Sequence, residues 1–141
     1  MNLRAIIPCT LILWLGGCVS TMDLGGDVAR YTVSGYQVAA AQRMWQIPDV
    51  CFSACTMKAA FARPYACLGP QTEIGFHAVR GYDGQWYTNP ALYYPADLTV
   101  ALEARGGLPI TDSVSPAPVP RGAYWMPRET ALKFWPACAA Q

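Results

Sequence analysis

The sequence predicts a small α/β domain with a mainly parallel sheet and flanking helices. Short strand-like runs alternate with helix-like runs along the chain, an order typical of parallel strands joined by helices. The chain has 141 residues, of which 53% are apolar and only 13% charged. This length suffices for one domain with a small core. Because the charged share is roughly half the usual 25%, we expect a compact apolar core or an exposed apolar face.

The first 17 residues have the features of an export signal. Arg4 provides a positive charge, and an apolar run from Ala5 to Trp14 follows it. This run is short for a membrane span. Leu15-Gly16-Gly17-Cys18 then resembles the lipobox of bacterial lipoproteins, in which the cysteine becomes the lipidated N-terminus after cleavage.

The sequence therefore predicts a lipoprotein-type signal peptide at 1–17 and a single domain at 18–141. A lipid on Cys18 would anchor that domain to the membrane, on the periplasmic side of the bacterial cell envelope. An ordinary signal peptide with an incidental cysteine is the alternative. Nucleic acid is not an expected partner, because the net charge is +1 and no basic patch is evident.

Four cysteines remain in the mature chain, since Cys9 leaves with the signal and Cys18 carries lipid. An even number of cysteines in an exported protein predicts two disulfides, and four cysteines allow three pairings, which the sequence leaves open. The alternative is a zinc site formed by three of them and His77, but the spacing matches no zinc signature. We therefore expect neither a metal nor a cofactor. The four cysteines are Cys51, Cys55, Cys67 and Cys138.

The first half of the mature chain predicts two strands and two helices. A strand at 19–24 ends at Gly25-Gly26, and Asp27 caps a helix over 28–45. Gly35 is a weak point of that helix, and Trp45 is expected on its inner side with Val28, Tyr31, Val38 and Ala41. A strand over 48–51 leads into a helix that ends near Ala62, before Pro64.

The second half predicts shorter elements. They are a strand at 65–68, a turn at Gly69-Pro70, a strand at 72–79, a helix at 95–105, a proline-rich loop at 108–121 and a last helix at 127–134. Between them, 81–94 reads as a loop rich in tyrosine and tryptophan. It is either a lid packed on its own side chains or a rim that faces substrate.

Ser53 and His77 are the candidate catalytic residues. Ser53 follows an apolar strand and precedes a helix, and free N–H groups at a helix start stabilise developing negative charge. His77 is the only histidine and follows a second strand, 24 residues later. A serine and a histidine at adjacent strand ends can act as nucleophile and base. The alternatives are a helix N-cap for Ser53 and a histidine bonded to backbone for His77.

These motifs together resemble the Clp protease and crotonase-like superfamily, and in particular its small periplasmic members. The residues that carry the resemblance are Gly25-Gly26, then Ser53-Ala54-Cys55-Thr56, then Gly69-Pro70 before Ile74-Gly75-Phe76-His77. The resemblance extends over about 25–78 and continues weakly beyond. It implies a serine peptidase-like hydrolase, with Ser53 as nucleophile, His77 as base and the amides of Gly25 and Gly26 as oxyanion donors. It also implies a peptide substrate and a homo-oligomer.

The chain departs from this family in two places. The family's third catalytic residue is an aspartate from a later segment, and no aspartate stands at the matching position. Asp112 is the nearest candidate, followed by Asp97 and Asp83. Gly25 lies only seven positions after Cys18, where the family has further strands, so the fold would be truncated. Without an aspartate at the family's position, the predicted catalytic triad is incomplete. The alternative function is a catalytically silent lipoprotein that binds a partner.

Overall fold

The computed structural model describes residues 21–111 and 122–140. It is an α/β fold, as the sequence predicts. No helix in this part of the chain is long and apolar enough to cross a membrane. The helices are α1 (Val28–Ala41), α2 (Ala54–Phe61), α3 (Ala96–Glu103) and α4 (Arg128–Ala131), with a short 3-10 turn at Pro90–Leu92.

The largest sheet has four strands in the order β1-β3-β5-β8. The pairs β1–β3 and β3–β5 are parallel, and β5–β8 is antiparallel. A second parallel pair, β2–β4, and an antiparallel hairpin, β6–β7, lie outside this sheet. The strands are β1 (Met22–Asp23), β2 (Trp45–Ile47), β3 (Val50–Phe52), β4 (Ala66–Leu68), β5 (Glu73–Phe76), β6 (Val79–Arg80), β7 (Trp86–Tyr87) and β8 (Tyr124–Met126).

Helix α2 lies at the centre of the core. Six of its eight residues are buried, because it packs against strands β3 and β5 on one side and against α1 on another. Trp135 is fully buried and donates its indole N–H to the carbonyl of Ala59, at 2.9 Å. The C-terminal segment therefore closes over this helix, and burying one such aromatic side chain contributes about 2–3 kcal/mol.

Gly35 is where α1 touches α2. It is the one buried residue of α1, and a Cβ built on it would lie 2.7 Å from the carbonyl oxygen of Lys58 and 2.9 Å from Cβ of Phe61. The sequence identifies this glycine as a weak point for helix propensity. In the fold, the absence of a side chain at Gly35 allows the two helix backbones to approach closely. A substitution that adds a Cβ at this position would therefore push the helices apart.

Several predicted boundaries are wrong. Helix α1 ends at Ala41 rather than at 45, because Gln42 adopts a left-handed conformation and Trp45 pairs with Ala66 in β2. Trp45 is therefore not on the inner side of α1. The strand predicted at 72–79 is two strands, β5 and β6, separated by His77 and Ala78.

The later elements also differ in detail from the predictions. The predicted loop at 81–94 contains strand β7, and β8 was not predicted at all. Helices α3 and α4 are shorter than the predicted 95–105 and 127–134. Most of the proline-rich loop predicted at 108–121 lies outside the described residues.

Both predicted disulfides are present. Cys51 pairs with Cys55, and Cys67 pairs with Cys138. Because their sulfurs are bonded to one another, these cysteines cannot serve as thiolate ligands, and the alternative of a zinc site is wrong. Two disulfides in so small a domain indicate an oxidising, extracytoplasmic environment. The second pair attaches the C-terminal segment to β4, because Cys67 lies in that strand. A hydrogen bond from the Cys138 N–H to the carbonyl of Leu68 adds to this attachment.

Candidate active site

Ser53 occupies a sharp turn between β3 and α2. Its backbone angles are φ 60° and ψ −129°, in a region that residues other than glycine rarely adopt. It precedes the first residue of α2, but its side chain makes no capping hydrogen bond. The prediction of a strand-to-helix turn is confirmed, and the hydroxyl is not used as an N-cap. A strained, uncapped serine in this position is a candidate nucleophile.

Several contacts hold this turn in place. The N–H of Ser53 donates to the carbonyl of Gly75 on β5, at 3.1 Å. The carbonyl of Ser53 accepts from both the N–H and the hydroxyl of Thr56, at 2.9 and 2.6 Å. Since the Thr56 hydroxyl donates there, it accepts from the Tyr94 hydroxyl, 2.6 Å away and buried. The Cys51–Cys55 disulfide spans the same turn.

Gly25 packs directly against the serine. A Cβ on Gly25 would lie 2.7 Å from both Cβ of Ser53 and the amide nitrogen of Ala54, and its φ is +84°. Only glycine satisfies both constraints. The N–H of Gly25 donates to the carboxylate of Asp23, at 3.0 Å, and so is not free to stabilise an oxyanion.

Two other amides beside Ser53 remain for that role. In the described residues, the N–H groups of Gly26 and Ala54 have no acceptor. Gly26 also lines the same cavity as Ser53. The resemblance implies the amides of Gly25 and Gly26 as oxyanion donors, and of these only the Gly26 amide is available. The amide of Ala54, at the start of α2, is a second candidate donor that the sequence did not indicate.

His77 lies at the end of β5, next to the serine turn. Its ring stacks on Phe52, with centroids 4.8 Å apart, and packs in an edge-to-face arrangement with Trp86, with centroids 6.4 Å apart. These apolar neighbours partly bury the imidazole, and this burial lowers its pKa below the usual 6.5. The side chain is therefore neutral at pH 7 and able to accept a proton.

Thr111 is the residue that contacts the far side of the imidazole. Its buried hydroxyl lies 3.3 Å from Nδ1 of His77, which leaves Nε2 for the cavity. The segment before it is fixed by a hydrogen bond from the Ala78 N–H to the Pro109 carbonyl, at 2.7 Å. Thr111 was not predicted, because a threonine 34 residues from the histidine carries no distinguishing sequence pattern.

The three aspartates proposed as a third catalytic residue have different outcomes. Asp97 forms a two-bond ion pair with Arg63, and Asp83 accepts from the Tyr87 hydroxyl and the Gln85 N–H. Neither contacts His77, so both candidates are wrong. Asp112 follows Thr111 in the sequence and lies outside the described residues.

Ser53 and His77 line one cleft of about 660 Å³. Apolar side chains form much of its wall: Val28, Ala29, Met57 and Val79. Gly26 and Asp27 border it on the α1 side, and Arg80, Gly81 and Tyr82 border it on the hairpin side. In the described residues no hydrogen bond joins the Ser53 hydroxyl to His77. Within the described part of the chain, the two groups therefore share a cavity without a direct hydrogen bond.

A hydrogen bond crosses this cleft at its rim. The hydroxyl of Tyr82 donates to Asp27 at 2.8 Å, although the Tyr82 side chain is otherwise fully exposed. Asp27 also caps α1 by accepting from the Arg30 N–H, as predicted. These two bonds, the cap first, lower the pKa of the Asp27 carboxyl. Of the aromatic residues of 81–94, Tyr94 belongs to the core, whereas Tyr82 faces the cleft.

Comparison with known proteins identifies no relative. No protein-family model matches the chain, and no curated protein or solved structure matches it. The site is therefore interpreted from its own geometry.

Proposed function

We propose that this protein is a serine hydrolase, with Ser53 as nucleophile and His77 as general base. The observation that carries the proposal is a strained, uncapped serine that lines the same cleft as the only histidine. The amides of Gly26 and Ala54 would stabilise the oxyanion of an acyl-transfer intermediate. The order of glycine pair, serine and histidine supports membership of the Clp and crotonase-like superfamily. The substrate would then be a peptide or acyl compound.

The electrostatics of the site support this assignment of roles. Burial keeps His77 neutral at pH 7, as a base that removes a hydroxyl proton must be. Thr111 holds the ring from the Nδ1 side, where an aspartate often stands in serine hydrolases. A hydroxyl orients the imidazole but does not neutralise the imidazolium that forms. We therefore propose a slow enzyme that uses a Ser53–His77 dyad. Asp112 is the candidate for a third catalytic residue, which would make the site a triad.

Hydrolysis of an activated ester tests the proposal. The oxidised protein should hydrolyse 4-nitrophenyl pentanoate, and Ser53→Ala should reduce the rate to that of solvent. Ser34→Ala is the matched control, since Ser34 lies on α1 outside the Ser53–His77 cleft. A rate that is unchanged in Ser53→Ala would assign the chemistry to another residue.

We also propose that the protein is anchored by a lipid on Cys18 in the bacterial cell envelope. The lipobox-like Leu15-Gly16-Gly17-Cys18 and the extracytoplasmic disulfides support this. The wild-type chain should incorporate radiolabelled palmitate in a bacterial host, and Cys18→Ala should not. Equal incorporation by both would disprove the anchor. The homo-oligomer remains a prediction.

The second candidate function is a catalytically silent lipoprotein that uses the cleft to bind a partner. One observation favours it, namely that no hydrogen bond joins Ser53 to His77 in the described residues. Catalytic hydrogen bonds are often long in unliganded sites, so this contact would form when substrate closes the cleft. The ester assay separates the two candidates, because only the hydrolase depends on Ser53.

A further inference from the structure

One basic residue of the cleft has no role in the proposed chemistry. Arg80 is the only lysine or arginine among the described residues that line the cavity of Ser53 and His77. It lies on β6, three positions after His77, and its side chain is exposed. Its guanidinium carbon is 5.9 Å from the ring centre of Trp86, which packs edge-to-face with His77. The Trp86 ring thus contacts both the positive charge and the base.

No carboxylate in the described part of the chain neutralises Arg80. The one ion pair in residues 21–111 and 122–140 joins Arg63 to Asp97. Asp27, on the opposite rim, uses one oxygen for the Arg30 N–H and the other for the Tyr82 hydroxyl. Asp83, in the same hairpin, accepts from Gln85 and Tyr87. The carboxylates of the cleft rim and of the hairpin therefore accept from other donors.

The rest of the cleft wall is suited to a hydrocarbon chain. Val28, Met57 and Val79 line it, and Val79 directly precedes Arg80 on β6. A cleft with an apolar wall and one charged group fixes the orientation of its ligand through that group. An arginine binds a carboxylate or phosphate through two parallel N–H donors.

We propose that the substrate carries an anionic group at the far end of its acyl portion, and that Arg80 binds this group. The inference rests on the proposed hydrolase function. The short acyl chain would lie along Val28, Met57 and Val79 with its carbonyl at Ser53, and the anion would contact Arg80 at the rim. Arg80 then determines which acyl compound is hydrolysed and takes no part in the chemical step.

Two esters of equal length test this specificity. Mono-4-nitrophenyl glutarate carries a carboxylate where 4-nitrophenyl pentanoate carries a methyl group. The wild-type protein should hydrolyse the glutarate ester with a kcat/KM about tenfold or more above that of the pentanoate ester, since bonds to charged groups are the strong ones. Arg80→Gln should remove this difference by lowering kcat/KM for the glutarate ester alone, and Arg80→Lys should keep part of it.

The control is Arg43→Gln, which removes an exposed arginine beyond the end of α1. It should leave both rates unchanged. Equal kcat/KM values for the two esters, or an equal loss for both in Arg80→Gln, would overturn the role of Arg80 while leaving Ser53 as the nucleophile.

A binding measurement separates failure of this inference from failure of the proposed function. Calorimetry with Ser53→Ala protein should detect glutarate, and the double variant Ser53→Ala/Arg80→Gln should bind it at least tenfold more weakly. If no Ser53-dependent hydrolysis exists but this binding pattern holds, the anion site stands and the hydrolase does not. If glutarate binds both variants equally, or neither, the anion site is wrong.

Discussion

Among the described residues, Ser53 combines a strained backbone with a hydroxyl that makes no capping hydrogen bond. A residue with positive φ outside glycine costs about 1–3 kcal/mol and persists only where the surroundings enforce it. Here Gly75, Thr56 and the Cys51–Cys55 disulfide enforce it from three sides. The strain aims the serine side chain into the cleft that His77 shares. This placement is what a nucleophile requires.

The pKa of His77 can be measured without ambiguity, because the chain has a single histidine. Burial disfavours the imidazolium, so the NMR titration midpoint of the folded protein should lie below 6.5. The unfolded chain then binds a proton more readily than the folded one. Stability from this group is therefore complete above pH 6.5 and is lost as the pH falls through the folded pKa. A midpoint at or above 6.5 would contradict the burial.

Thr111 should act as a positioning residue for His77. Thr111→Val removes the hydroxyl that contacts Nδ1 and keeps the side-chain shape, so kcat for ester hydrolysis should fall roughly two- to tenfold. The NMR line positions of the His77 ring should shift as well. Thr72→Val is the matched control, since its buried hydroxyl bonds the Gly69 N–H and the Ile47 carbonyl away from the cleft. An unchanged kcat in Thr111→Val, with Asp112→Asn inactive, would assign the orienting role to Asp112.

Helix α2 and the turn before it are the elements that the sequence predicts best. The pattern of an apolar strand, a serine and an alanine-rich run predicts the boundaries of β3 and α2 to within two residues. Strands β2, β7 and β8 were missed because each has only two or three residues and forms through pairing with another strand, β4, β6 and β5 respectively. Such short runs carry too little local pattern to separate them from loops or helix ends.

The two disulfides should have different effects, and each serves as the control for the other. In the chain-entropy model, the Cys67–Cys138 bridge, which closes a separation of 71 residues, stabilises by about 4 kcal/mol. The Cys51–Cys55 bridge, with a separation of four, contributes about 2 kcal/mol. Double alanine variants should show this order in urea unfolding. Only loss of Cys51–Cys55 should lower the rate of ester hydrolysis, because that bridge spans the Ser53 turn.

If removal of the Cys67–Cys138 bridge lowered the hydrolysis rate of the folded protein as strongly, the local role of Cys51–Cys55 would be disproved. The comparison is made in the absence of urea, where both variants must be shown to be folded by circular dichroism.

The β6–β7 hairpin should restrict access to the cleft. Tyr82 lies in its turn and donates a hydrogen bond across the rim to Asp27. Tyr82→Phe should therefore free the hairpin and raise the rate at which a bulky active-site reagent enters. Tyr87→Phe is the matched control, because its hydroxyl bonds Asp83 inside the hairpin and does not cross the cleft. Equal rates for both variants would show that the rim bond does not limit entry.

At the scale of the whole molecule, the fold brings distant segments to one cleft. The start of α1, the turn before α2 and the end of β5 each contribute one component of the site. The sequence predicts Ser53 and His77 because residue type and neighbouring strand patterns identify them locally. It does not predict Thr111 or Arg80, because their roles depend on which segments the sheet and the hairpin bring together. For the loop that contains Tyr82, it predicts either a lid or a rim that faces substrate and does not choose between them.

The central claim is that Ser53 is a nucleophile activated by His77. Labelling of the oxidised, folded protein with a fluorophosphonate probe tests it most directly, with the modified residue identified by mass spectrometry. We expect one adduct, on Ser53. In His77→Gln the labelling rate should fall by about a hundredfold or more. Ser53→Ala should give no adduct, and Ser34→Ala should be labelled as the wild-type protein is. A folded protein that forms no adduct, or an adduct that survives Ser53→Ala, would contradict the claim.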